Sequence, residues 1–583
     1  MSSKWLGSIV VILAMMFSVQ ADQKKISPDL KGKQKSQGLI EVIVQWKQLP
    51  GAVEAEKVKK NAGWVKKNLT AAKAQLVSIP PGQLDKLTDD PGIVYATPNR
   101  SLSRMLDYAS VTVGADLAYR SGWTGKGVGV AVIDSGVDNH ADFSILSGNQ
   151  IVGSRVVYSE NFVSGSTTTG DPYGHGTHVA GVIGSSGWTA VSAGGKVAVQ
   201  GIAPKANLIN LRVLNDNGMG YDSDVIAAIS RAIALQSQYN IRVINLSLGR
   251  PVHESYKLDP LCMAVEAASD AGILVVAAAG NEGRNNSANT YGYGTISSPA
   301  NHPLALTVGA MKTMFTAARG DDLIASYSSK GPTQVDHVVK PDIVAPGNQV
   351  ISLSSGRKSE LSSFYPTTAV PYNYYKNVGS TTTSEVFMRL SGTSMATPMV
   401  SGAAALLFEK QPTLTADQVK ARLMKTAYKQ FPMSSTTTDS VTGVTYTSYY
   451  DIFTVGAGYL DLSTALSNQE LSSGRAASPI AVPVNGKVSI ILPTGTPWSS
   501  NAVWGDQTSW GLNAVWGDKV FLNGTNAVWG DNAVWGDNAV WGDRFAAGYN
   551  AVWGDNAVWG DNAVWGDLVA AMKAIAVVTA GEK

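Results

Sequence analysis

The chain has 583 residues, which is too long for one compact domain and predicts about two to four of them. A net charge of +2, with 15% charged and 44% hydrophobic residues, argues against a general nucleic-acid-binding protein. Cys262 is the only cysteine, so an intrachain disulfide is excluded, and its apolar helical surroundings predict a buried thiol.

Residues 1–21 have the pattern of a signal peptide. Lys4 precedes an apolar run, Leu6–Val19, and Val19 and Ala21 are small enough for a signal-peptidase site. The run is shorter than the roughly 20 residues that a membrane-spanning helix needs. We therefore predict a secreted, extracellular protein, with a retained membrane anchor as the alternative.

Residues 22–106 are predicted to form a small α+β domain. It would contain in order a strand, a helix, a strand, a helix and a strand, over Leu39–Trp46, Glu54–Leu69, Gln75–Ile79, Pro81–Leu87 and Ile93–Thr97. Residues 22–107 carry 15 Lys and Arg against 9 Asp and Glu, whereas the remainder of the chain is mildly acidic. This difference favours an intramolecular partner that docks partly by charge, and a solvated basic surface is the alternative.

From residue 107 to residue 465, short apolar runs alternate with helical segments. The apolar runs include VGVAVID, NLINLRVL, RVINLSLG and ILVVAAAGN. Apolar strands between helices are typical of an α/β fold whose parallel sheet is covered on both faces. The connections are expected to be right-handed crossovers.

Three polar residues stand at the ends of these elements. Asp134 ends the strand VAVID, His175 opens a helix in HGTHVAG, and Ser394 begins a helix in GTSMATP. Each has an ordinary explanation, since Asp caps turns, Ser caps helices, and His175 with His178 could bind a metal. A metal site is disfavoured because HExxH and a clustered set of cysteine or carboxylate ligands are missing from the sequence. Together the three supply a nucleophile, a base and an orienting carboxylate at the ligand-binding edge of an α/β sheet.

Asn281 adds a fourth polar group. It follows the apolar run Ile273–Ala279, and an amide just past a strand can donate to a developing oxyanion. A simple Asn-Gly-type turn is the alternative.

The blocks VIDSG, HGTHVAG, AAGNEG and GTSMATP resemble the signatures of the subtilisin-like serine proteases, the subtilase family or peptidase family S8. The resemblance covers about residues 107–465. It implies a doubly wound α/β fold with a mostly parallel, seven-stranded sheet. It also implies that Asp134 orients His175, that His175 takes a proton, and that Ser394 attacks the substrate carbonyl. Asn281 and the backbone N–H of Ser394 would hold the oxyanion.

The same resemblance implies polypeptide substrates and the segments that bind them. Two segments are expected to pair with an extended peptide: Ser247, Leu248 and Gly249, and Ala278, Ala279 and Gly280. The family pattern assigns catalysis to His175 and leaves His178 to packing. Asp142 matches a calcium ligand of the family, although its partner ligands are not recognisable in the sequence, and a structural calcium ion is therefore an expectation that rests on Asp142 alone. The long Ser/Thr/Tyr-rich segment 348–391 departs from the family and is a candidate rim of the cleft.

Residues 39–102 resemble the propeptide-inhibitor domain that precedes many of these enzymes. Such a domain would assist folding and block the cleft until the chain cuts itself between Asn99 and Tyr108. The physical logic is that an α/β enzyme with non-local strand pairing folds slowly, and that a protease should be silent before export. An unrelated ancillary domain is the alternative.

The end of the sequence is repetitive. A linker and a hairpin that turns at Asn485-Gly486 occupy residues 466–500, and a short Ala/Val-rich segment occupies residues 568–583. Between them, residues 501–567 hold eight copies of NAVWGD, and residues 476–583 hold ten of the fifteen tryptophans. Stacked six-residue units would form a tryptophan ladder that binds a cell-surface glycan, or alternatively a self-packing assembly module or a disordered segment.

The sequence therefore predicts a secreted serine endopeptidase that works through an acyl-enzyme and matures from a zymogen by cutting itself. The alternative is a surface-binding or assembly protein whose protease domain mainly performs its own maturation. The repeats motivate that alternative.

Overall fold

The computed structural model divides the chain into two compact units, Met1–Ser103 and Arg104–Lys583. The residues it describes are 25–27, 30, 38–98, 108–147, 150–192, 198–285, 290–356, 359–376, 382–439, 442–484, 487–493, 495, 497 and 581–582. The predicted signal peptide and the NAVWGD repeats lie outside these residues. Within them, no helix combines the length and the apolar character that a membrane crossing requires.

The first unit is a four-stranded antiparallel sheet with short helices, in the strand order β2-β3-β1-β4. Its elements are β1 (Ile40–Trp46), α1 (Ala52–Lys60), β2 (Trp64–Leu69), β3 (Ala74–Ile79), α2 (Leu84–Thr88) and β4 (Ile93–Pro98). Its core is built from alternate residues of the strands, among them Val42, Val44, Val77 and Ile79, which are fully buried.

The predicted helix Glu54–Leu69 is wrong in its second half. Helix α1 stops at Lys60, the chain reverses at Ala62 with a positive φ of 57°, and Trp64–Leu69 pairs with β3. Pairing with β3 gives the backbone groups of this segment hydrogen-bond partners. The stabilisation from this tertiary contact outweighs the helical preference of the lysines in the segment.

The second unit is built on one large sheet with the strand order β13-β12-β11-β10-β5-β9-β8, and β14 also pairs with β12. The strands of this sheet are β5 (Gly129–Asp134), β8 (Val156–Asn161), β9 (Asn207–Arg212), β10 (Ile241–Leu246), β11 (Leu274–Ala278), β12 (Leu306–Lys312), β13 (Leu323–Ile324) and β14 (Ile343–Pro346). Seven of these described strands are parallel, and the two-residue β13 is antiparallel. The predicted α/β fold with a mostly parallel sheet is confirmed, but the sheet has eight described strands and not the seven predicted, because the short antiparallel β13 adds to its edge.

Helices cover both faces of this sheet. The described helices of this unit are α3 (Tyr108–Thr112), α4 (Ala115–Arg120), α5 (His175–Gly184), α6 (Trp188–Ser192), α7 (Asp222–Ala234), α8 (Gln236–Tyr239), α9 (Pro260–Asp270), α10 (Glu360–Phe364), α11 (Tyr372–Tyr375), α12 (Thr393–Lys410), α13 (Ala416–Thr426) and α14 (Leu462–Ser467). Val130 and Val132 of β5 join the core that contains α5 and α12, whereas Ala131 and Ile133 join the core that contains α7 and α9. Side chains on alternate residues of a strand point to opposite faces, so two apolar cores sandwich the sheet.

Smaller pairings complete this unit. The other strands are β6 (Ser144–Ser147), β7 (Gln150–Ser154), β15 (Val350–Leu353), β16 (Ala369–Pro371), β17 (Thr383–Leu390), β18 (Ser434–Thr438), β19 (Thr445–Tyr449), β20 (Ile480–Val484) and β21 (Lys487–Ile491). The predicted hairpin is confirmed, since β20 and β21 pair with Val484 opposite Lys487. The long segment 348–391 forms a small antiparallel sheet of its own, with the order β15-β17-β16.

Candidate active site

Asp134 and His175 meet at the carboxyl edge of the large sheet. Asp134 is the last residue of β5, every residue of which is buried, and His175 is the first residue of α5. The Nδ1 atom of His175 lies 2.8 Å from Oδ1 of Asp134, in a pair whose side chains are 8% and 0% exposed. The two predicted residues are therefore brought together as an ordered, nearly dry hydrogen-bonded pair.

The surroundings of this pair favour a charged imidazolium. Burial lowers the pKa of His175, but the charge of Asp134, the hydrogen bond to it and the charge of Asp171 outweigh that effect and raise the pKa. Oδ1 of Asp134 also accepts from the backbone N–H of Ser135 at 2.7 Å, whereas Oδ2 has no hydrogen bond within the described structure. The carboxylate is thus oriented through one oxygen.

Asp171 is a buried carboxylate that sequence reasoning missed. It accepts hydrogen bonds from the Ser135 hydroxyl and from the backbone N–H groups of Gly174 and Thr177, each at 2.7 Å. Burial raises the pKa of Asp171, these donors work against that rise, and Asp134 adds to it. Its position four residues before His175 is the signal in the sequence that could have drawn attention to it.

The inserted segment 348–391 reaches this carboxylate. The Ser355 hydroxyl donates to Oδ2 of Asp171 at 3.0 Å. The backbone N–H groups of Glu360 and Leu361 donate to the carbonyls of Pro172 and Tyr173, just before His175. The insertion therefore packs directly on the turn that presents His175.

Ser394 lies at the start of α12, a long buried helix that packs against α5 and against the central strands. Its hydroxyl donates to the carbonyl of Ser247 at 3.1 Å, and the Ser247 hydroxyl donates to the carbonyl of Ser394 at 2.8 Å. Because a hydroxyl has a single proton, Ser394 does not donate to His175 in this conformation. The reciprocal bonds fix the nucleophile candidate against the end of β10.

Asn281 is joined to the same helix start. Its Oδ1 atom accepts from the backbone N–H of Thr393 at 2.9 Å, and the Thr393 hydroxyl also lies 3.2 Å from it. A Cβ atom on Gly392 would lie 3.3 Å from Nδ2 of Asn281, so the amide nitrogen sits beside the residues that lead into Ser394. With the oxygen engaged, the N–H groups are the part of this side chain that can serve a ligand.

The two predicted substrate segments differ in their free backbone groups. Ser247 is buried, whereas Leu248 is half-buried and Gly249 is exposed beyond the end of β10. In the segment Ala278–Gly280, by contrast, the N–H of Ala279 donates to Val308 and its carbonyl accepts from Ser297. The N–H of Gly280 donates to the Thr393 hydroxyl and its carbonyl accepts from Ser329. The prediction that a substrate peptide pairs as a strand with Ala279 and Gly280 is therefore wrong, because their backbone N–H and carbonyl groups already form hydrogen bonds within the fold.

Asp142 has protein donors around its carboxylate. Its oxygens accept from the Ser185 hydroxyl at 2.9 Å and from the N–H of Thr189 at 2.6 Å, and its side chain is fully buried. Over the part of the chain that the structure describes, no group of three or more His, Cys, Asp or Glu side chains could hold a metal ion. Calcium at Asp142 stays a prediction without support from this donor set, since calcium sites are built from several oxygen ligands.

His178 and Cys262 behave as packing residues. Nε2 of His178 lies 3.1 Å from the carbonyl of Val350, and burial, followed by the charge of His175, lowers its pKa to about 3. The Cys262 thiol is buried beside Asn301 and Ser298, and burial raises its pKa. Both predictions are confirmed, because a neutral buried histidine and a protonated thiol are poor candidates for chemistry.

Comparison with known proteins agrees with this arrangement. Residues 125–451 match the model of the subtilase family, Peptidase_S8. The chain is 39% identical over 337 residues to serine protease AprX of Bacillus subtilis, an alignment that covers 56% of this chain and 67% of that protein. It is 31% identical over 430 residues to subtilisin E of the same species, covering 72% and 92%. It is 32% identical over 354 residues to an alkaline protease of Shouchella clausii, covering 60% and 73%. The chain therefore belongs to the subtilase family of serine proteases.

Proposed function

We propose that the chain is a secreted serine endopeptidase whose triad is Asp134, His175 and Ser394. The single observation that carries the proposal is the buried hydrogen bond of 2.8 Å between His175 Nδ1 and Asp134 Oδ1 at the edge of the sheet. Since Nδ1 donates to the carboxylate, Nε2 is the nitrogen left to take a proton.

In the first chemical step the Ser394 hydroxyl changes its hydrogen-bond partner. Ser394 Oγ turns from the carbonyl of Ser247 towards His175 Nε2, which removes its proton as the oxygen attacks the scissile carbonyl. Asp134 then stabilises the imidazolium, and the raised pKa of His175 fits that role. The imidazolium then gives its proton to the leaving amine nitrogen as the peptide C–N bond breaks, which leaves a covalent acyl-enzyme and a free amine. Water attacks the acyl-enzyme in a second step, in which His175 takes the proton of the water and returns one to Ser394 Oγ.

The tetrahedral oxyanion is assigned to two donors, Nδ2 of Asn281 and the backbone N–H of Ser394. The bonds between Asn281 Oδ1 and Thr393 support this assignment, because they set the direction of the amide before substrate arrives. Preorganised donors of this kind stabilise the developing charge at no cost in reorganisation.

Substrate binding is assigned to both predicted segments, in different ways. The exposed backbone beyond β10, at Leu248 and Gly249, suits a peptide that adds as a strand. Ala278, Ala279 and Gly280 suit the wall of a side-chain pocket, because their own peptide groups are already bonded.

Residues 22–106 are proposed to act as the propeptide that assists folding and inhibits the enzyme until it cuts itself. The alternative of a surface-binding or assembly protein, including glycan binding, depends on the repeats at 501–567, which lie outside the described residues.

The test compares Ser394→Ala with Ser401→Ala, a buried serine of the same helix that donates to Asn245. We expect Ser394→Ala to lose hydrolysis of unfolded protein substrate and to keep residues 22–106 attached after expression. Ser401→Ala should cleave and mature normally once its folded fraction is taken into account. Normal maturation of Ser394→Ala, seen by mass spectrometry, would assign the cut to another protease. Equal hydrolysis by both variants would overturn the triad.

A further inference from the structure

The residue Glu582, close to the end of the sequence, lies inside the catalytic unit. Its side chain is 1% exposed and sits between Arg284 and Lys312. Arg284 donates to Oε1 at 2.6 Å, and Lys312 Nζ lies 3.1 Å from Oε2. The backbone N–H of Ser326 donates to Oε1 at 2.9 Å, and the Ser326 hydroxyl also contacts this oxygen. Each oxygen of the carboxylate thus faces a cation.

The peptide groups of Glu582 are recognised as well. Its N–H donates to Oδ1 of Asn348 at 2.8 Å. Its carbonyl accepts from Nδ2 of Asn348 at 2.7 Å and from Nε2 of Gln349 at 2.8 Å. The Asn348 amide therefore bonds both the backbone N–H and the backbone carbonyl of Glu582, as a neighbouring strand would.

The preceding residue is also specified by its surroundings. Gly581 has a φ of 64°, and a Cβ atom there would clash with the Ser391 hydroxyl and lie 2.9 Å from Cγ of Gln349. Only glycine can adopt this positive φ and leave room for Ser391 and Gln349 without strain. The surface formed by Arg284, Lys312, Ser326, Asn348 and Gln349, which we name the Gly-Glu pocket, thus selects a dipeptide rather than a lone carboxylate.

Leaving the Gly-Glu pocket without a ligand would be energetically unfavourable. The side chain of Lys312 is 4% exposed, and among the ion pairs of the described residues Glu582 is its partner. Its other bond is to the Thr437 hydroxyl at 2.9 Å. A buried ammonium without a carboxylate is strongly unfavourable, so the cation calls for an acidic ligand. Burial works to raise the pKa of Glu582, yet Lys312, Ser326 and Arg284 lower it overall, so the bound form is ionised.

The segment that leads into the repeats is fastened to the same unit. The Val339 N–H donates to the carbonyl of Pro479, the Ala481 N–H donates to the carbonyl of His337, and the Ser478 hydroxyl contacts Pro303. Residues before the repeats and residues after them are thus both bonded to the catalytic unit.

We propose that the Gly-Glu pocket is an anchoring site for Gly581–Glu582, which holds the part of the chain that follows the NAVWGD region on the catalytic unit, so that the repeats are tethered to this unit from both sides. The ligand class is an acidic side chain preceded by glycine. This inference does not depend on the catalytic roles assigned above. A cut within the repeats would then leave both pieces associated.

The test inserts the recognition sequence of an unrelated site-specific protease between two repeats of the full chain, in a Ser394→Ala background that prevents self-cleavage. After cutting, we expect the far fragment to stay with the catalytic unit in size-exclusion chromatography. An excess of a synthetic peptide of residues 577–583 should displace it. The same peptide with glutamine at position 582 should compete at least about tenfold less well, because charge-assisted hydrogen bonds are lost.

Two variants of the cut protein make the proposal falsifiable. Glu582→Ala should release the fragment, and Gly581→Ala should do so with every charge retained, so that a folding defect from an unpaired Lys312 cannot explain the result. The control is Glu470→Ala, which removes an exposed carboxylate paired with Lys425 and should leave the fragment bound. Retention in both test variants, or equal competition by the two peptides, would overturn the anchoring site.

Discussion

Two buried charge clusters in the catalytic unit have opposite compositions. The proposed active-site cluster has two carboxylates and one base, Asp134, Asp171 and His175. The second cluster has two bases and one carboxylate, Lys340, Asp342 and Lys420, and all three of its side chains are at most 1% exposed.

The second cluster is closed. Lys340 Nζ lies 2.6 Å from Oδ2 of Asp342 and donates to the carbonyl of Ala305 at 2.7 Å. Lys420 Nζ donates to the carbonyls of Pro303 and Ala305, each at 2.8 Å. Asp342 also accepts from the N–H of Thr307 at 2.8 Å. The charges of this cluster are therefore surrounded by partners within the fold.

The proposed active-site cluster is less completely hydrogen-bonded. Oδ2 of Asp134 has no hydrogen bond within the described structure, and the hydrogen bond described for His175 uses only its Nδ1. Since both clusters are buried and charged, burial of charge alone does not mark a site for chemistry. What distinguishes the proposed active-site cluster is its place at the carboxyl edge of the sheet, where ligands bind in such folds, together with a carboxylate oxygen that the described structure leaves without a hydrogen bond.

The largest effect is expected from a substitution of Asp134 in the first of these two clusters. Asp134→Asn should lower kcat/KM on the order of 10⁴-fold, because the amide no longer holds His175 in the tautomer whose Nε2 accepts a proton. The melting temperature should change little, since the amide oxygen still faces the N–H of Ser135. Kinetics on a peptide substrate and thermal unfolding of the matured variant, processed by added wild-type enzyme, measure both quantities.

The control for that substitution is Asp138→Asn, which alters a nearby carboxylate that accepts from the N–H of Asp171. Its activity should stay within a few fold of the wild type. If Asp134→Asn kept a tenth of the wild-type activity, Asp134 would not be the residue that orients His175.

The converse change is Asp342→Asn, which should damage the fold and spare the chemistry. Removing the shared carboxylate leaves two buried lysines without a counter-ion, and we expect a loss of about 3–5 kcal/mol in the free energy of unfolding. Denaturant unfolding measures the loss, and active-site titration gives kcat for the molecules that remain folded. Asp216→Asn is the matched control, because its partner Arg212 is buried but Asp216 itself is 70% exposed. A loss no larger than in that control would show that the second cluster does not stabilise the fold.

Much of the fold and half of the site could be predicted from the sequence. Apolar runs such as Gly129–Asp134 indicate buried parallel strands without further context, and polar residues at their ends fall at one edge of the sheet for geometric reasons. That is why the sequence predicts Asp134, His175, Asn281 and Ser394 at one edge. The strand Trp64–Leu69 was missed because its pairing with β3 is a tertiary contact that its own residues do not indicate.

The rest depends on contacts between distant segments. Apart from its place four residues before His175, Asp171 gives no local signal of function, since it acts through contacts with Ser135 and with Ser355, which is 184 residues away. Likewise, the sequence does not show that Val308 and Ser297 occupy the backbone N–H and carbonyl of Ala279, which we predicted to be available to a substrate. Contacts of such long sequence separation carry no periodic pattern, so the sequence of one chain does not reveal them.

A smaller effect should follow from removing the second carboxylate of the active cluster. Burial lowers the pKa of His175, Asp134 raises it more, and Asp171 adds to the rise. Asp171→Asn should therefore let His175 lose its proton at a lower pH, so the acid limb of the kcat/KM profile should move down by a fraction of a pH unit. Ser355→Ala is the matched control, since it removes one hydrogen bond to Asp171 and keeps the charge. An acid limb that stays in place, or one that moves equally in the control, would remove Asp171 from the electrostatics of the site.

The closed cluster should also change how stability depends on pH. Burial lowers the pKa of Lys340 to about 7, even though Asp342 works to raise it. In the unfolded chain a lysine titrates near pH 10.4, so between these values the unfolded state binds a proton that the folded state does not. Stability should therefore rise with pH over this window, and Lys340→Met should make that rise less steep. Unfolding free energies at pH 7, 8 and 9 measure the slope, with Lys425→Met as the control because Lys425 lies nearer the surface, paired with Glu470. Parallel curves for Lys340→Met and the wild type would mean that Lys340 keeps its proton throughout, and the closed cluster would then hold two full positive charges against one negative one.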